Sequence, residues 1–196
     1  MLLKIKAFAK INIGLEVLGK RADGYHEINT VFAPVCLCDE ISAEKSNEIK
    51  VVCKPSLGIP LSENLVYKAA LALKIFYHVP NGAAIYIEKH ISAGGGLGGG
   101  SSDAAAALLL LSRLWHLPEE PAALFKIASD LGSDIPFFLK KGCALGRGRG
   151  EILEYFGLSM PFWTLIVMPG LNISTKEAYS SLNRDEKMSE PADLKE

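Results

Sequence analysis

The chain has 196 residues, of which 49% are hydrophobic and 22% are charged, a composition typical of a globular protein with one sizeable core. Its net charge of -1 gives no reason to expect nucleic acid or an anionic membrane as a partner. Lysines interrupt the apolar N-terminus, which argues against a signal peptide, and the longest apolar run, 104–111, is too short to span a bilayer. These features predict a cytoplasmic protein.

The first half of the chain predicts several strands and one helix. The strands are expected at 2–18, 28–37, 49–53 and 83–88, where apolar residues alternate or cluster. Asp23-Gly24 marks a turn that spans residues 20–26. Helical spacing runs from Ser62, a candidate N-cap, to Val79.

The second half predicts more helices than strands. Helices are expected at 101–115, from Pro118 to Gly132, and after Ser174, and a buried strand is expected at 162–168. Residues 142–150 contain Gly-Arg-Gly-Arg-Gly, which favours a mobile or ligand-facing loop and leaves the two arginines without an assigned role. Strands and helices interleave without strict alternation, so the pattern predicts an α+β fold.

A run of six glycines broken only by Leu97 occupies residues 94–100 and leads into Ser101-Ser102-Asp103. Glycine costs conformational entropy on folding, so such a run needs a compensating gain, such as close approach of a ligand to backbone N–H groups. The run follows a predicted strand and opens a predicted helix, whose N-terminus attracts phosphate. A phosphate-binding loop is therefore expected.

Three better-known phosphate loops fit this segment poorly. No lysine follows the glycines, which excludes the P-loop of NTPases. The dinucleotide fingerprint is formally met by Gly94, Gly96 and Gly99, but the acidic residues near the required distance, Glu119 and Glu120, lie at a predicted helix start. The glycine loop of protein kinases joins two strands, whereas this one precedes a helix. A dinucleotide-dependent oxidoreductase stays open as an alternative function.

Segments elsewhere in the chain add to the glycine run in a consistent order. They are 9–12 (Ala-Lys-Ile-Asn), 21–26 (Arg-Ala-Asp-Gly-Tyr-His), 62–65, 132–137 (Gly-Ser-Asp-Ile-Pro-Phe), 150–153 and 169–170. With residues 94–103 they resemble the GHMP kinases, a family of small-molecule kinases. The resemblance implies a two-domain fold, with a ribosomal protein S5 domain 2-like N-terminal domain at 1–157 and the start of a C-terminal domain at 158–196.

Members of this family run longer and carry a third glycine-rich motif near the phosphates. The sequence lacks a counterpart of that motif, so we expect the C-terminal domain to be incomplete. A truncated, inactive phosphate-binding module is therefore a further alternative function.

The resemblance implies ATP as the phosphoryl donor, with Mg²⁺ arriving on the nucleotide. The residues expected to bind ATP are Asn64, Lys89, Ser92, Ala93, Gly94, Gly95, Gly96, Leu97, Gly98, Gly99, Gly100, Ser101 and Ser102. The hydroxyls of Ser101 and Ser102 could reach phosphate or Mg²⁺, or one of them could cap the helix. Lys89 could equally be a solvated strand-end lysine. The histidines lack ligand spacing, so no structural metal site is expected and the metal ligands are unknown.

The resemblance also implies a catalytic pair of Asp134 and Lys10. Asp134 would act as the general base, although Ser-Asp-Ile-Pro is also a common way to begin a helix. Lys10 would offset charge in the transition state. On an alternating strand Lys10 and Asn12 share a face, and Asn12 is expected to bind the substrate there.

The substrate implied by the resemblance is a small alcohol linked to cytidine diphosphate. Tyr25 would stack on the cytosine and His26 would hydrogen-bond its edge, although a Tyr-His pair alone would suggest an exposed turn. Neither nucleic acid nor membrane is expected as a partner, and the chain is expected to be a monomer or a homodimer.

Overall fold

The computed structural model describes residues 1–158, 163–168, 178 and 190–194. The strands are β1 (Leu3–Lys20), β2 (His26–Ser46), β3 (Lys50–Lys54), β4 (Gly82–Glu88), β5 (Cys143–Gly148) and β6 (Ile152–Phe156). The helices are α1 (Leu65–Phe76), α2 (Gly99–Leu114) and α3 (Pro121–Leu131), with short 3-10 turns at Leu61–Glu63 and Pro136–Leu139. None of the helices in the described ranges is long and apolar enough to cross a membrane.

One six-stranded sheet is organised around the long strand β2. Its first half pairs with β5, its second half pairs with β4, and β1 lies along both halves on the other side. All these pairings are antiparallel, and only β3 lies parallel to its neighbour β4. The mixed sheet fits the predicted α+β class.

Helices α1 and α2 pack on the sheet, α3 packs against these two helices, and together they build the main core. Helix α2 lies at the centre, and its residues Ala104–Ala107 are almost completely buried between the sheet and α1. Four consecutive residues point to different sides of a helix, so these small side chains let both the sheet and α1 approach α2 closely. The N-terminus of α2 is thereby fixed beside β1.

The structure corrects the prediction of a loop at 142–150. Residues Cys143–Gly148 form β5, because the apolar side chains at its start are buried and the glycines allow close packing. A Cβ at Gly146 would lie 2.5 Å from Cε2 of Phe32, so this glycine makes room for an aromatic ring. The glycine content reflects packing inside the sheet.

Two further predictions about local structure are changed. The N-cap of α1 is Asn64, whose Oδ1 accepts the backbone N–H groups of Val66 and Tyr67, and Ser62 lies in the preceding 3-10 turn. Residues 163–168 form no strand, and their large apolar side chains are mostly exposed. The predicted strand was wrong there because an apolar run becomes a strand only when a partner strand is present.

Pro169 and Gly170 lie outside the described residues, as does the helix predicted after Ser174 except for Ala178. The division of the chain at residue 157 stays a prediction.

Candidate active site

The glycine loop connects the end of β4 to the start of α2 and is anchored at its centre. Leu97 is buried against Ala9 and Ile91, while residues 92–96 are exposed. The carbonyl of Leu97 accepts the backbone N–H of Lys10 at 3.0 Å. The loop therefore presents bare backbone to solvent while its apex is held on β1.

Positive φ angles at Gly94, Gly96 and Gly98 shape this loop. Gly98 has φ +71° and forms the N-cap of α2, and a Cβ there would lie 2.7 Å from Cζ of Phe138. The first N–H groups of a helix have no acceptor within it, so those of Gly99, Gly100 and Ser101 are available to an anion. The loop has the shape and donors that a phosphate chain requires.

The two serines after the loop have different environments. Ser101 is partly exposed in the first turn of α2. Ser102 is buried, and its hydroxyl donates to the carbonyl of Phe8 at 2.7 Å. This corrects the expectation that the Ser102 hydroxyl reaches phosphate or Mg²⁺, because the hydroxyl instead ties α2 to β1. Ser101 stays a candidate.

Lys10 is almost completely buried and heads a chain of hydrogen bonds across β1 and β2. Its Nζ donates to Oδ1 of Asn12 at 2.6 Å, and Nδ2 of Asn12 donates to Oγ1 of Thr30 at 2.8 Å. The Thr30 hydroxyl in turn donates to the carbonyl of Gly14 at 2.7 Å. These bonds fix the lysine side chain in one direction, as the predicted shared face of Lys10 and Asn12 requires.

Asp134 lies beside Lys10 although the two are far apart in the sequence. The distance from Nζ of Lys10 to Oδ2 of Asp134 is 3.9 Å, and the Asp134 side chain is 38% exposed. Burial lowers the pKa of Lys10, and the Asp134 carboxylate opposes that shift. The N-cap of the 3-10 turn that follows is Ile135, not Asp134. The structure thus brings together a buried ammonium and an accessible carboxylate.

The turn between β1 and β2 carries Tyr25, and His26 is the first residue of β2 directly after it. Asp23 accepts the Tyr25 backbone N–H at 3.1 Å and holds the turn in shape. Tyr25 is 54% exposed, and the guanidinium of Arg149 lies 4.8 Å from the centre of its ring. A large, accessible ring at the mouth of this region fits the predicted role in base recognition.

Lys89 was predicted to contact the nucleotide. The structure does not leave it free to do so, because its side chain is buried between two carboxylates. Its Nζ donates to Oδ2 of Asp39 at 2.5 Å and to Oδ2 of Asp103 at 2.8 Å. Oδ1 of Asp39 also accepts the N–H groups of His90 and Ile91, at 2.5 and 2.8 Å. We call Asp39, Lys89 and Asp103 the buried charge cluster. It joins β2, the end of β4 and α2 directly beneath the glycine loop.

The charge cluster also changes the ionisation of its members. Burial opposes the charged form of Lys89, but Asp103 and Asp39 outweigh it and raise the pKa of the lysine. Burial raises the pKa of Asp103 to about 7 against the opposing effect of Lys89. The pKa values of Lys89 and Asp103 can both be raised because two buried carboxylates share one ammonium. The single positive charge favours protonated Lys89 but does not balance both negative charges. Oδ1 of Asp103 has no hydrogen-bond partner among the described residues.

No sequence motif marks Asp39, Thr30 or Glu27 as parts of this region. Asp39 and Thr30 are fully buried polar residues in β2. A single polar residue in an apolar strand carries no motif, so only the three-dimensional pairing identifies such residues.

Oδ1 of Asn64 accepts the capping hydrogen bond of α1, and the amide nitrogen of Asn64 stays available for the predicted nucleotide contact. Within the described ranges, no group of three or more His, Cys, Asp or Glu side chains could hold a metal ion.

Comparison with known proteins agrees with this geometry. The family model of the GHMP kinases N terminal domain matches residues 64–142, which include the glycine loop and Asp134. Fold and site together define a GHMP kinase N-terminal domain. A crystal structure of 4-(cytidine 5'-diphospho)-2C-methyl-D-erythritol kinase matches 98% of this chain and 69% of its own, with 37% identity and a TM-score of 0.78. The chain therefore belongs to the family of 4-diphosphocytidyl-2-C-methyl-D-erythritol kinases within the GHMP kinases.

Curated relatives carry the same name. The kinase of Prosthecochloris aestuarii is 45% identical over 90% of this chain and 62% of the relative, and that of Chlorobium chlorochromatii is 44% identical over 96% and 66%. The chain thus spans about 62% of the length of the first of these relatives. The mevalonate kinase of Methanococcus jannaschii shares the fold, with a TM-score of 0.60 at 16% identity over 80% of this chain and 56% of its own. The expected family and fold class are confirmed.

Proposed function

We propose that this chain catalyses transfer of the γ-phosphoryl group of ATP to the 2-hydroxyl of 4-diphosphocytidyl-2-C-methyl-D-erythritol, a step of the non-mevalonate isoprenoid pathway in the cytoplasm. The observation that carries the proposal is the distance of 3.9 Å between Nζ of Lys10 and Oδ2 of Asp134, beside a loop that offers backbone N–H groups to phosphate. The names of the relatives support the choice of substrate.

The nucleotide phosphates would lie along the backbone of the glycine loop and the first turn of α2, with the N-terminus of α2 adding its partial positive charge. Mg²⁺ bound to ATP would neutralise charge on the transferred group. Ser101, partly exposed in the first turn of α2, would offer its hydroxyl to this ion.

Asp134 would accept the proton of the substrate hydroxyl as its oxygen attacks the γ-phosphate. A general base must be accessible to the substrate, and the Asp134 carboxylate is partly exposed while its partner Lys10 is buried. The Lys10 ammonium, held in place by Asn12, would stabilise the negative charge that develops on the attacking and transferred oxygens. Because neither residue forms a bond to phosphorus, positioning and charge compensation account for the catalysis.

Substrate recognition would depend on the turn at the other end of β1. Tyr25 offers an exposed ring for stacking on cytosine, and His26 begins β2 next to it. Asn12, tied to both Lys10 and Thr30, would orient the polar part of the substrate near the reacting hydroxyl. The expected partners are these two small molecules, and the chain would act as a monomer or a homodimer.

Phosphorus NMR tests the proposal directly. The purified chain is incubated with Mg-ATP in the presence and in the absence of 4-diphosphocytidyl-2-C-methyl-D-erythritol. A new phosphomonoester signal that requires the substrate supports the proposal, whereas ATP binding without any product would support the phosphate-binding module. Competition of NAD, but not ATP, for the loop would support the oxidoreductase alternative and contradict the proposal.

A further inference from the structure

Arg149 lies over one face of the Tyr25 ring, in a segment that the proposed function leaves without a role. The carbon at the centre of its guanidinium group is 4.8 Å from the ring centre, within the range of a cation–π interaction. The ring nevertheless stays 54% exposed, so most of its remaining surface faces solvent. One face of the ring is therefore covered, and the other is accessible to a ligand.

Glu151 holds the arginine in this position. Oε2 of Glu151 accepts the backbone N–H of Arg149 at 2.6 Å, and Oε1 accepts its Nε–H at 3.5 Å. The Arg149 side chain is 30% exposed, so it rests against the protein for most of its length. An arginine anchored at Nε has a restricted guanidinium plane, which favours stacking over free rotation in solvent.

A second contact joins the same two segments independently. Glu27 accepts the backbone N–H of Gly148 at 2.8 Å through Oε1 and pairs with Arg21 through Oε2. The turn that carries Tyr25 and the connection between β5 and β6 are thus held together at two points. We call this contact region, formed by Glu27 and Gly148 together with Tyr25 and Arg149, the braced junction.

The braced junction also reaches the proposed general base. Gly150 has φ +108°, and a Cβ there would lie 3.7 Å from Oδ1 of Asp134. Residues 148–151 therefore lie against the turn that carries Tyr25, and Gly150 lies close to Asp134. Residues 148–151 would thus fix the distance between a base stacked on Tyr25 and a substrate hydroxyl near Asp134.

We infer that Arg149 is a positioning residue for pyrimidine recognition: it covers one face of the Tyr25 ring and so directs the cytosine of the substrate to stack on the opposite face. This inference rests on the proposed function for the identity of the base. The arginine acts through the tyrosine ring, which it orients before the substrate arrives. Preorganising an aromatic side chain reduces the entropy that binding must overcome.

The steady-state test uses Arg149→Met, which keeps the length and removes the charge, and Arg149→Lys, which keeps the charge. The KM for the cytidyl substrate should rise by up to about tenfold in Arg149→Met, because binding would then also have to immobilise the Tyr25 ring. The kcat and the KM for ATP should stay near wild type, and Arg149→Lys should recover much of the loss. Arg147→Met is the matched control, because Arg147 is an exposed arginine of β5 two residues away, and its kinetics should not change.

Binding of cytidine and of cytidine 5'-diphosphate, followed by ligand-observed NMR, separates this inference from the proposed function. If the wild type binds neither probe, the proposed function fails with its substrate. If the wild type binds both and Arg149→Met binds both equally well, only the present inference is overturned. A loss restricted to the diphosphate would also overturn it, because the arginine would then contact phosphate directly.

A double-mutant cycle with Tyr25→Leu tests whether the effect passes through the ring. In the Tyr25→Leu background, Arg149→Met should have no further effect on the substrate KM. Two effects that multiply would show that Arg149 acts without Tyr25 and would overturn the inference. Urea midpoints of all variants check that each protein is folded.

Discussion

The backbone N–H of Lys10 donates to the carbonyl of Leu97, so the strand that carries the proposed catalytic lysine also holds the glycine loop. This bond exists because the sheet is irregular here: a register shift separates Phe8 and Lys10, and Lys10 faces Pro34 on β2. Proline has no N–H for the ladder, so the normal exchange of hydrogen bonds is interrupted at this point. The loop and the lysine are thereby placed relative to each other before any ligand binds.

Gly98→Ala and Gly96→Ala should separate the structural glycines from those that face the ligand. Both residues have positive φ, so alanine adds about 1–2 kcal/mol of backbone strain at either position. At Gly98 the added Cβ would also collide with Phe138 and approach Cγ of Lys10, whereas at Gly96 it would meet no heavy atom of the described chain within 4 Å. Gly98→Ala should therefore lower the free energy of unfolding clearly more than Gly96→Ala.

Chemical denaturation and ATP titration measure the two effects separately. Gly96→Ala should mainly weaken ATP binding, since its Cβ would project from the exposed loop toward the phosphates. Equal destabilisation by the two substitutions would show that the contact with Phe138 does not determine the loop conformation.

Asp134→Asn should abolish phosphoryl transfer and leave ATP affinity almost unchanged. The amide has the same shape but cannot accept the proton of the hydroxyl, and loss of a general base typically costs about 10²- to 10⁴-fold in rate. Single-turnover transfer and ATP binding should be measured on the same preparation. Asp130→Asn is the control, because Asp130 is an exposed carboxylate paired with Lys126 on the surface of α3. A transfer rate within threefold of wild type in Asp134→Asn would remove Asp134 as the base.

The rate of transfer should fall at alkaline pH below the ordinary lysine pKa of 10.5, because burial lowers the pKa of Lys10 and its ammonium is lost earlier. The contribution of Lys10 to the free energy of unfolding changes with pH in the opposite direction. A lysine with a lowered pKa in the folded state binds its proton more tightly when unfolded, so its contribution to the free energy of unfolding rises with pH in that range. Deprotonation of Lys10 would therefore not by itself unfold the protein.

Single-turnover rates between pH 7 and 10.5 test this, with Lys10→Arg as the comparison, because arginine stays charged throughout. Lys10→Arg should be slower than wild type and should lack the alkaline decrease. The same decrease in both proteins would assign it to another group.

Residues that act through local pattern could be predicted from the sequence, and residues that act through distant pairing could not. The alternation of β1 correctly placed Lys10 and Asn12 on one face, where Nζ and Oδ1 are 2.6 Å apart. The glycine run was correctly placed between a strand and a helix. Lys89, by contrast, has partners 50 and 14 positions away, and no periodicity records such contacts.

The same distinction explains the misjudged strand β5. Gly-Arg-Gly-Arg-Gly has the composition of a loop, and local propensity cannot show that Phe32 needs the space at Gly146. Ser102 looked like a ligand because of its place after the glycines, but α2 turns its hydroxyl toward the carbonyl of Phe8. In both cases packing against another element decided the outcome.

The buried charge cluster should give the protein a stability that depends on Asp103 and on pH. The pKa of Asp103 is raised from 3.8 to about 7, so the folded state binds a proton more tightly than the unfolded state. Its contribution to stability is complete below about pH 3.8 and is lost as the pH rises toward 7. The side chain introduced by Asp103→Asn cannot ionise, so the variant should lack this part of the pH dependence. Its stability relative to wild type should be greater near pH 8 than near pH 5.

Urea unfolding of both proteins at intervals from pH 5 to pH 8 measures the difference between them. The amide keeps an acceptor for the Lys89 ammonium and adds a donor on the side where Oδ1 of Asp103 is unpartnered among the described atoms. Asp39 then shares Lys89 with no second carboxylate, so the cluster is electrically balanced. A constant difference between wild type and Asp103→Asn across this range would mean that Asp103 stays ionised in the folded protein and that Lys89 compensates both carboxylates.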